Sequence, residues 1–326
     1  MSETGISERA IAVYEDGNPS SASARLNFAA WAIAAGVAAV DYVWMQRAGF
    51  AVTSASFARN TWPPLMLAVS VLILRGIARM PRYSRLAASR HIRHGCALVN
   101  GFAVMLLFTQ AAIILQNLCV ALAPPVIDSQ LIALDAALGF HWPDLFAWQL
   151  KHHDLNFALG FVYVTYTVQV TFTIIALGVA KRTDDLADFV LLFMVSVVAA
   201  ILISAPFPAS NPLIHFGVYR TPADSPWSQF YALREGAMRV FDLDIEQGLI
   251  SMPSLHAANA VLFVYALRHL RWLFPISAVL NAVMIYSAIT VGAHYLVDII
   301  AGVLLATLLI AALRRWRIYQ QRRRSS

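Results

Sequence analysis

The 326 residues are 59% hydrophobic and only 13% charged, with a positive mean hydropathy. A soluble domain carries about a quarter of its residues charged, so this chain cannot cover its own surface in water, and its long apolar runs of about 18 residues suit a hydrocarbon core of about 30 Å. The net charge of +6 does not point to nucleic acid, because the basic residues sit in short stretches between apolar runs, where they act as topology signals.

Residues 1–26 are polar, carry Glu3, Glu8, Glu15 and Asp16, and lack the basic-then-apolar order of a signal peptide. They read as a cytoplasmic tail. Eight apolar segments follow, near 27–45, 63–78, 96–123, 155–180, 188–206, 250–267, 272–292 and 295–313. Cys96 and Cys119 lie inside one of them and are too few for a disulfide framework. The expected fold is an all-α polytopic transmembrane helical bundle of about eight spans, forming a single membrane domain over 27–313 with a basic tail at 314–326. Between the third and fourth segments, Asp128–Asp154 mixes Leu131, Leu134, Leu138, Phe146 and Trp148 with polar residues, the pattern of one helix lying in the interface.

The 24 Lys and Arg residues test this layout. Arg75 to Arg93, Lys181–Arg182, Arg268–Arg271 and Arg314–Arg324 all fall on one side, together with Arg9 and Arg25. Only Arg47, Arg59, Lys151, Arg220, Arg234 and Arg239 fall on the other. The positive-inside rule then puts both termini in the cytoplasm. A long outward stretch, 206–249, holds Pro206, Pro208, Pro212, Pro222 and Pro226, and long loops of this kind are often functional.

Two polar motifs stand at outward helix ends. In Ser251-Met252-Pro253-Ser254-Leu255-His256, a Pro and a capping Ser open a helix. The free N–H groups of that first turn, the Ser254 hydroxyl and the helix dipole favour an anion such as phosphate. His256 then lies close enough to protonate a leaving oxygen; a capped helix with an incidental histidine is the competing reading. In Gly292-Ala293-His294-Tyr295-Leu296-Val297-Asp298, His294 and Asp298 are four apart and share one helical face. A carboxylate there fixes the imidazole tautomer and makes its other nitrogen a better nucleophile; a structural polar pair is the competing reading. The segments between the motifs form an antiparallel hairpin, so His256, His294 and Asp298 return to one level of the membrane.

Pro253-Ser254-Leu255-His256, together with His294 and Asp298, resembles the type 2 phosphatidic acid phosphatase superfamily over roughly 155–313. The resemblance implies that His294 is a nucleophile forming a phosphohistidine, that Asp298 orients it, that His256 protonates the leaving group and that Ser254 helps bind phosphate. The family's Lys-x6-Arg-Pro string has no counterpart in this chain, and Ser287-Ala288 stands where typical members have Ser-Arg. A phosphodiester, with one negative charge, needs less neutralisation than a monoester. The branch lacking these cations, which His294-Tyr295-x-x-Asp298 also resembles, is that of the inositol phosphorylceramide and sphingomyelin synthases. The stretch Asp128 to Trp142, with Asp135, is loosely similar to the same branch.

Arg234 and Arg239 are candidates for the missing phosphate cation, against the reading of solvated or headgroup-facing arginines. Tyr166 and Gln169, with Tyr163, are spaced to line a polar pocket, a pattern that interhelical hydrogen bonding explains equally well. No Cys/His cluster has metal-ligand spacing and no nucleotide loop occurs, so neither metal nor organic cofactor is expected. The expected partners are membrane lipids, a phospholipid donor with a lipid alcohol or water as acceptor, and no nucleic acid. The expected setting is a bacterial inner membrane with the site on the periplasmic side. The alternatives are a lipid phosphate or polyprenyl pyrophosphate phosphatase of the same superfamily and, from another class, a transporter or non-catalytic lipid binder.

Overall fold

A computed structural model describes residues 21–78, 80, 82, 90–218, 228–244 and 248–325 of the chain. Arg9, Arg79, Arg85 and Arg220 of the charge pattern, most of the polar N-terminal tail, Pro222 and Pro226 lie outside them. In chain order the elements are α1 (Ser21–Ala48), β1 (Ala51–Val52), α2 (Ser54–Ala78), α3 (Arg90–Val120), α4 (Asp128–Ala137), α5 (Trp142–Leu150), α6 (His153–Val179), α7 (Thr183–Ser204), α8 (Pro212–His215), α9 (Ser228–Arg234), β2 (Val240–Phe241), α10 (Leu255–Leu267), α11 (Leu273–Thr290) and α12 (Leu296–Ser325). The fold is an all-α helical bundle whose β1 and β2 form one short parallel pair, Ala51 opposite Val240.

Seven of these helices, α1, α2, α3, α6, α7, α11 and α12, are long and apolar enough to cross a membrane. The eighth expected span is α10, which has 13 residues and begins at Leu255 rather than near 250. Helix α2 begins at Ser54 rather than 63 and runs through Pro63 and Pro64. Interior prolines forfeit backbone hydrogen bonds, but helices packed among other helices tolerate them. The expected basic tail continues α12 to Ser325, since Arg and Gln are good helix formers and nothing there stops the helix. The single interfacial helix is in fact two, α4 and α5, broken at Gly139, whose φ of +73° is a left-handed conformation that glycine adopts at no cost.

Phe157, Phe161, Val164, Val168, Phe172, Ile175 and Val179 are all exposed along one face of α6. A contiguous apolar face of this length is tolerable in lipid and not in water. The opposite faces of α1, α3, α6, α7, α10 and α11 pack a common core around Phe108, Phe189, Met194 and Phe263.

The two ends of the bundle differ. At one end Arg182 and Arg268 bind Asp185 at 2.8 and 2.7 Å, Arg317 holds Asp188, and Ser23 at the start of α1 donates to Asp184. This end collects the N-termini of α1 and α7 and the C-terminal parts of α10 and α12, as the arginine distribution requires of a bundle with alternating helices. The other end holds the β1–β2 pair, the Arg59–Asp244 pair at 3.0 Å and both histidine motifs.

Candidate active site

Ser254 has extended backbone (φ −64°, ψ 117°), and its Oγ accepts from Ala257 N at 3.4 Å, the geometry of an N-cap for α10. Its side chain is fully buried, and Ser254 is not on the wall of the cavity described below. Helix α12 comes so close to the start of α10 that a Cβ on Gly302 would collide with the Ser254 carbonyl oxygen. The Ser254 N–H in turn donates to the Asp298 carbonyl at 3.0 Å. The two motifs are therefore stitched together through their backbones.

The turn between α11 and α12 places His294. Ala293 is left-handed (φ +52°), and a Cβ on Gly292 would meet Ala288 O at 2.6 Å and Tyr163 Cε2 at 2.7 Å, so only glycine fits. His294 N donates back to Ile289 O at 3.2 Å. Asp298, with no exposure, turns its Oδ2 to three groups: Ser251 Oγ at 2.8 Å, Tyr295 N at 3.0 Å and His294 Nδ1 at 3.5 Å. The last distance is at the limit of a hydrogen bond, and Nδ1 has no closer partner among the described residues. The carboxylate thus faces one ring nitrogen and leaves Nε2 as the atom available for chemistry.

The stretch expected at the interface is a buttress for this turn. Asp135 Oδ2 and Oδ1 accept from Leu296 N and Val297 N, each at 2.9 Å, capping α12 from a different helix. Burial pushes the Asp135 carboxyl above its ordinary range, with those two N–H groups acting in the opposite direction. Asp128 accepts from Tyr295 OH at 2.8 Å and from Ser210 Oγ at 2.8 Å. Trp142 Nε1 donates to Ile289 O at 2.9 Å, and Thr290 bonds Gln149. Asp128, Asp135, Trp142 and Gln149 are all buried. These residues hold the histidine turn from outside the cavity.

His294 and His256 open onto one cavity of about 790 Å³, walled by α3, α6, α7 and the stretches 210–211 and 248–251. The His256 ring stacks on Tyr163 (centroids 4.2 Å apart, 15° between planes) and lies against Tyr166 at 4.5 Å. Behind Tyr166, Asn259 Nδ2 donates to its hydroxyl at 2.7 Å and Ser196 donates to Asn259 at 3.1 Å, fixing the aromatic wall. Among the described residues that line the cavity there is no Lys, Arg, Asp or Glu; its polar groups are hydroxyls, carboxamides and the two imidazoles.

Other candidates fall elsewhere. Gln169 is buried away from the cavity, bonded to Thr165 at 3.1 Å and to Asn281 at 2.9 Å, as interhelical bonding predicts. Arg234 donates to the Pro124 carbonyl at 2.5 Å and covers Phe230; burial lowers its pKa. Arg239 donates to Ala48 O at 3.1 Å and lies over Phe50. Neither arginine lines the cavity. No cluster of three or more His, Cys, Asp or Glu with the makings of a metal site occurs among the described residues. Asn211 is a residue of the cavity wall that no motif singles out, and Ser251, Asp128 and Asp135 stand within the quoted stretches without a role assigned from sequence. The seven-residue interval between Asp128 and Asp135, two turns on one face with Leu131 between them, is the available signal.

The fold and site together define a polytopic membrane protein with two histidines and a buried aspartate assembled at the ends of three helices. A family profile described as the PAP2 superfamily matches residues 129–312, more than half of the chain, and the chain belongs to that superfamily. The matched region runs from α4 to α12 and includes Asp135, Trp142 and Gln149 of the buttress as well as both motifs. No curated protein and no solved structure matches the chain. Membership supports a function of the lipid phosphatase or phosphotransferase type.

Proposed function

We propose that the chain transfers a phospho-headgroup from one lipid to a lipid alcohol, as inositol phosphorylceramide synthases do, through a phosphohistidine on His294. The observation that carries this reading is the single cavity onto which His294 and His256 both open, with Asp298 buried behind the first. In the first half-reaction Nε2 of His294 attacks phosphorus. The N–P bond forms as the P–O bond to the donor lipid breaks, and His256 gives its proton to the departing oxygen. Asp298 balances the charge that develops on the His294 ring. In the second half-reaction His256 takes a proton from the acceptor hydroxyl, whose oxygen displaces His294. Water in place of that hydroxyl gives hydrolysis.

Transfer from a diester is favoured over monoester hydrolysis by the wall itself. Its described residues include no lysine or arginine to offset the second charge of a phosphate dianion. The segregation of basic residues supports a site on the non-cytoplasmic face, with both termini cytoplasmic; a bacterial inner membrane, with the site toward the periplasm, is the setting we propose.

The test uses purified protein in detergent and lipid, supplied with labelled phosphodiester lipids or phosphatidic acid, with and without ceramide or diacylglycerol. Products are followed by mass spectrometry beside His294→Ala. Acceptor-dependent transfer that disappears in the variant is the expected result. Phosphate release from monoesters alone would move the protein to the phosphatase side of the superfamily. Turnover surviving in His294→Ala would overturn the nucleophile assignment.

A further inference from the structure

We infer that Asn211 is a substrate-binding residue whose side-chain amide donates to a non-bridging phosphoryl oxygen, a neutral donor in the place a cation would hold for a dianionic substrate. This rests on the phosphodiester reading above. Asn211 is 3% exposed and lines the same cavity as His294, His256 and Ser251. Its Oδ1 accepts from Ile214 N at 3.1 Å, capping α8. That bond fixes which end of the amide is which. The other end, Nδ2, is buried and has no hydrogen-bond partner among the described residues. Buried donors are almost always paired, and a donor on a residue that lines a reaction cavity, without a partner among the described residues, is one that a ligand oxygen can complete.

The position of Asn211 is tied to the nucleophile. Ser210, the residue before it, donates to Asp128 from its N–H at 3.0 Å and from its Oγ at 2.8 Å. Tyr295, the residue after His294, donates its hydroxyl to the same carboxylate at 2.8 Å. One buried aspartate therefore fixes the chain next to both residues, and both residues line the same cavity. A carboxamide donates without adding charge. It supports the single negative charge of a diester and gives little to a dianion, in keeping with a wall whose described residues carry no lysine or arginine.

The competing role for Asn211 is the cap alone, and Asn211→Asp separates the two. Aspartate caps a helix as well as asparagine and is nearly the same size, but it puts an anionic oxygen where the N–H₂ was. The expected result is an unfolding midpoint close to wild type without substrate and a kcat/KM for the phosphodiester lower by about 100-fold or more, the scale seen when one oxyanion donor is lost. Asn211→Ser, which also caps but has a shorter reach, is expected to lose activity without losing fold. Wild-type kcat/KM in Asn211→Asp overturns the inference and leaves the transferase reading intact. Loss of fold in both variants, which keep the cap, shows that the fold itself needs the amide and also overturns the inference. A wild-type protein that converts no diester, assayed beside His294→Ala, removes the transferase reading and the inference with it.

Discussion

Asp135→Ala tests whether the α4–α5 buttress governs the reaction from outside the cavity. The carboxylate accepts from Leu296 N and Val297 N at 2.9 Å each, and these are the first residues of α12, two and three positions after His294. Hydrogen bonds to a charged group contribute about 1.5–3 kcal/mol each, and orphaning the donors adds their desolvation. Both hydrogen bonds are only partly buried, which puts the pair at the low end, about 3 kcal/mol together. Most of that loss falls on the turn carrying His294. A displacement of the reacting group by about 1 Å costs about 100-fold in rate. Asp135→Ala should therefore lower the unfolding midpoint in detergent by several degrees and cut kcat by one to two orders of magnitude, about 10- to 100-fold, with KM little changed. Asp135→Asn keeps one acceptor oxygen and should fall between alanine and wild type in both measurements. An alanine variant with wild-type midpoint and wild-type kcat would refute the reasoning.

Replacing His256 by alanine should lower kcat by about 10²–10⁴-fold, and a substrate with a nitrophenolate leaving group should recover much of it, because that group departs without a proton. Equal losses on both substrates would remove the general-acid role. Gly292→Ala places a Cβ 2.6 Å from Ala288 O and 2.7 Å from the Tyr163 ring; it should cost about 1–3 kcal/mol in a melting experiment and reduce turnover by displacing the ring that stacks on His256. Arg317→Ala breaks the pair with buried Asp188 at the opposite end of the bundle and should lower the melting midpoint while leaving KM and kcat unchanged for the protein that remains folded.

The apolar segments were legible because a span needs little more than length and hydropathy, and the pairing of His294 with Asp298 was legible because they are only four positions apart, although His294 stands in the turn before α12 and not on a helical face with Asp298. The buttress was not. Asp135 stands in a stretch of mixed polarity where an aspartate reads as solvated, and its partners, Leu296 and Val297, are about 160 positions away along the chain. Ser254 shows the same limit in another form: a serine before a helix signals a cap and an anion site equally, and its oxygen is committed to Ala257 N. Charge alone makes Arg234 and Arg239 of the long loop candidate phosphate ligands. Carbonyl acceptors at Pro124 and Ala48, which no sequence pattern announces, engage them instead.

The short α10 and the cavity are one feature. Thirteen residues rise about 20 Å, some 10 Å less than a hydrocarbon core, so the strand of chain before the helix must enter where a full span would have continued. Irregular backbone at that depth is tolerated only where it is enclosed by protein or borders a cavity. Gly248, Leu249, Ile250 and Ser251 all border this one, and Ser254 N is satisfied by the Asp298 carbonyl. A longer helix would bury the first-turn N–H groups in its own ladder and fill the space that His256 and His294 share. Starting the helix late, at Ser254, sets His256 against the tyrosines of α6 and leaves both histidines on the wall of the cavity within the bundle.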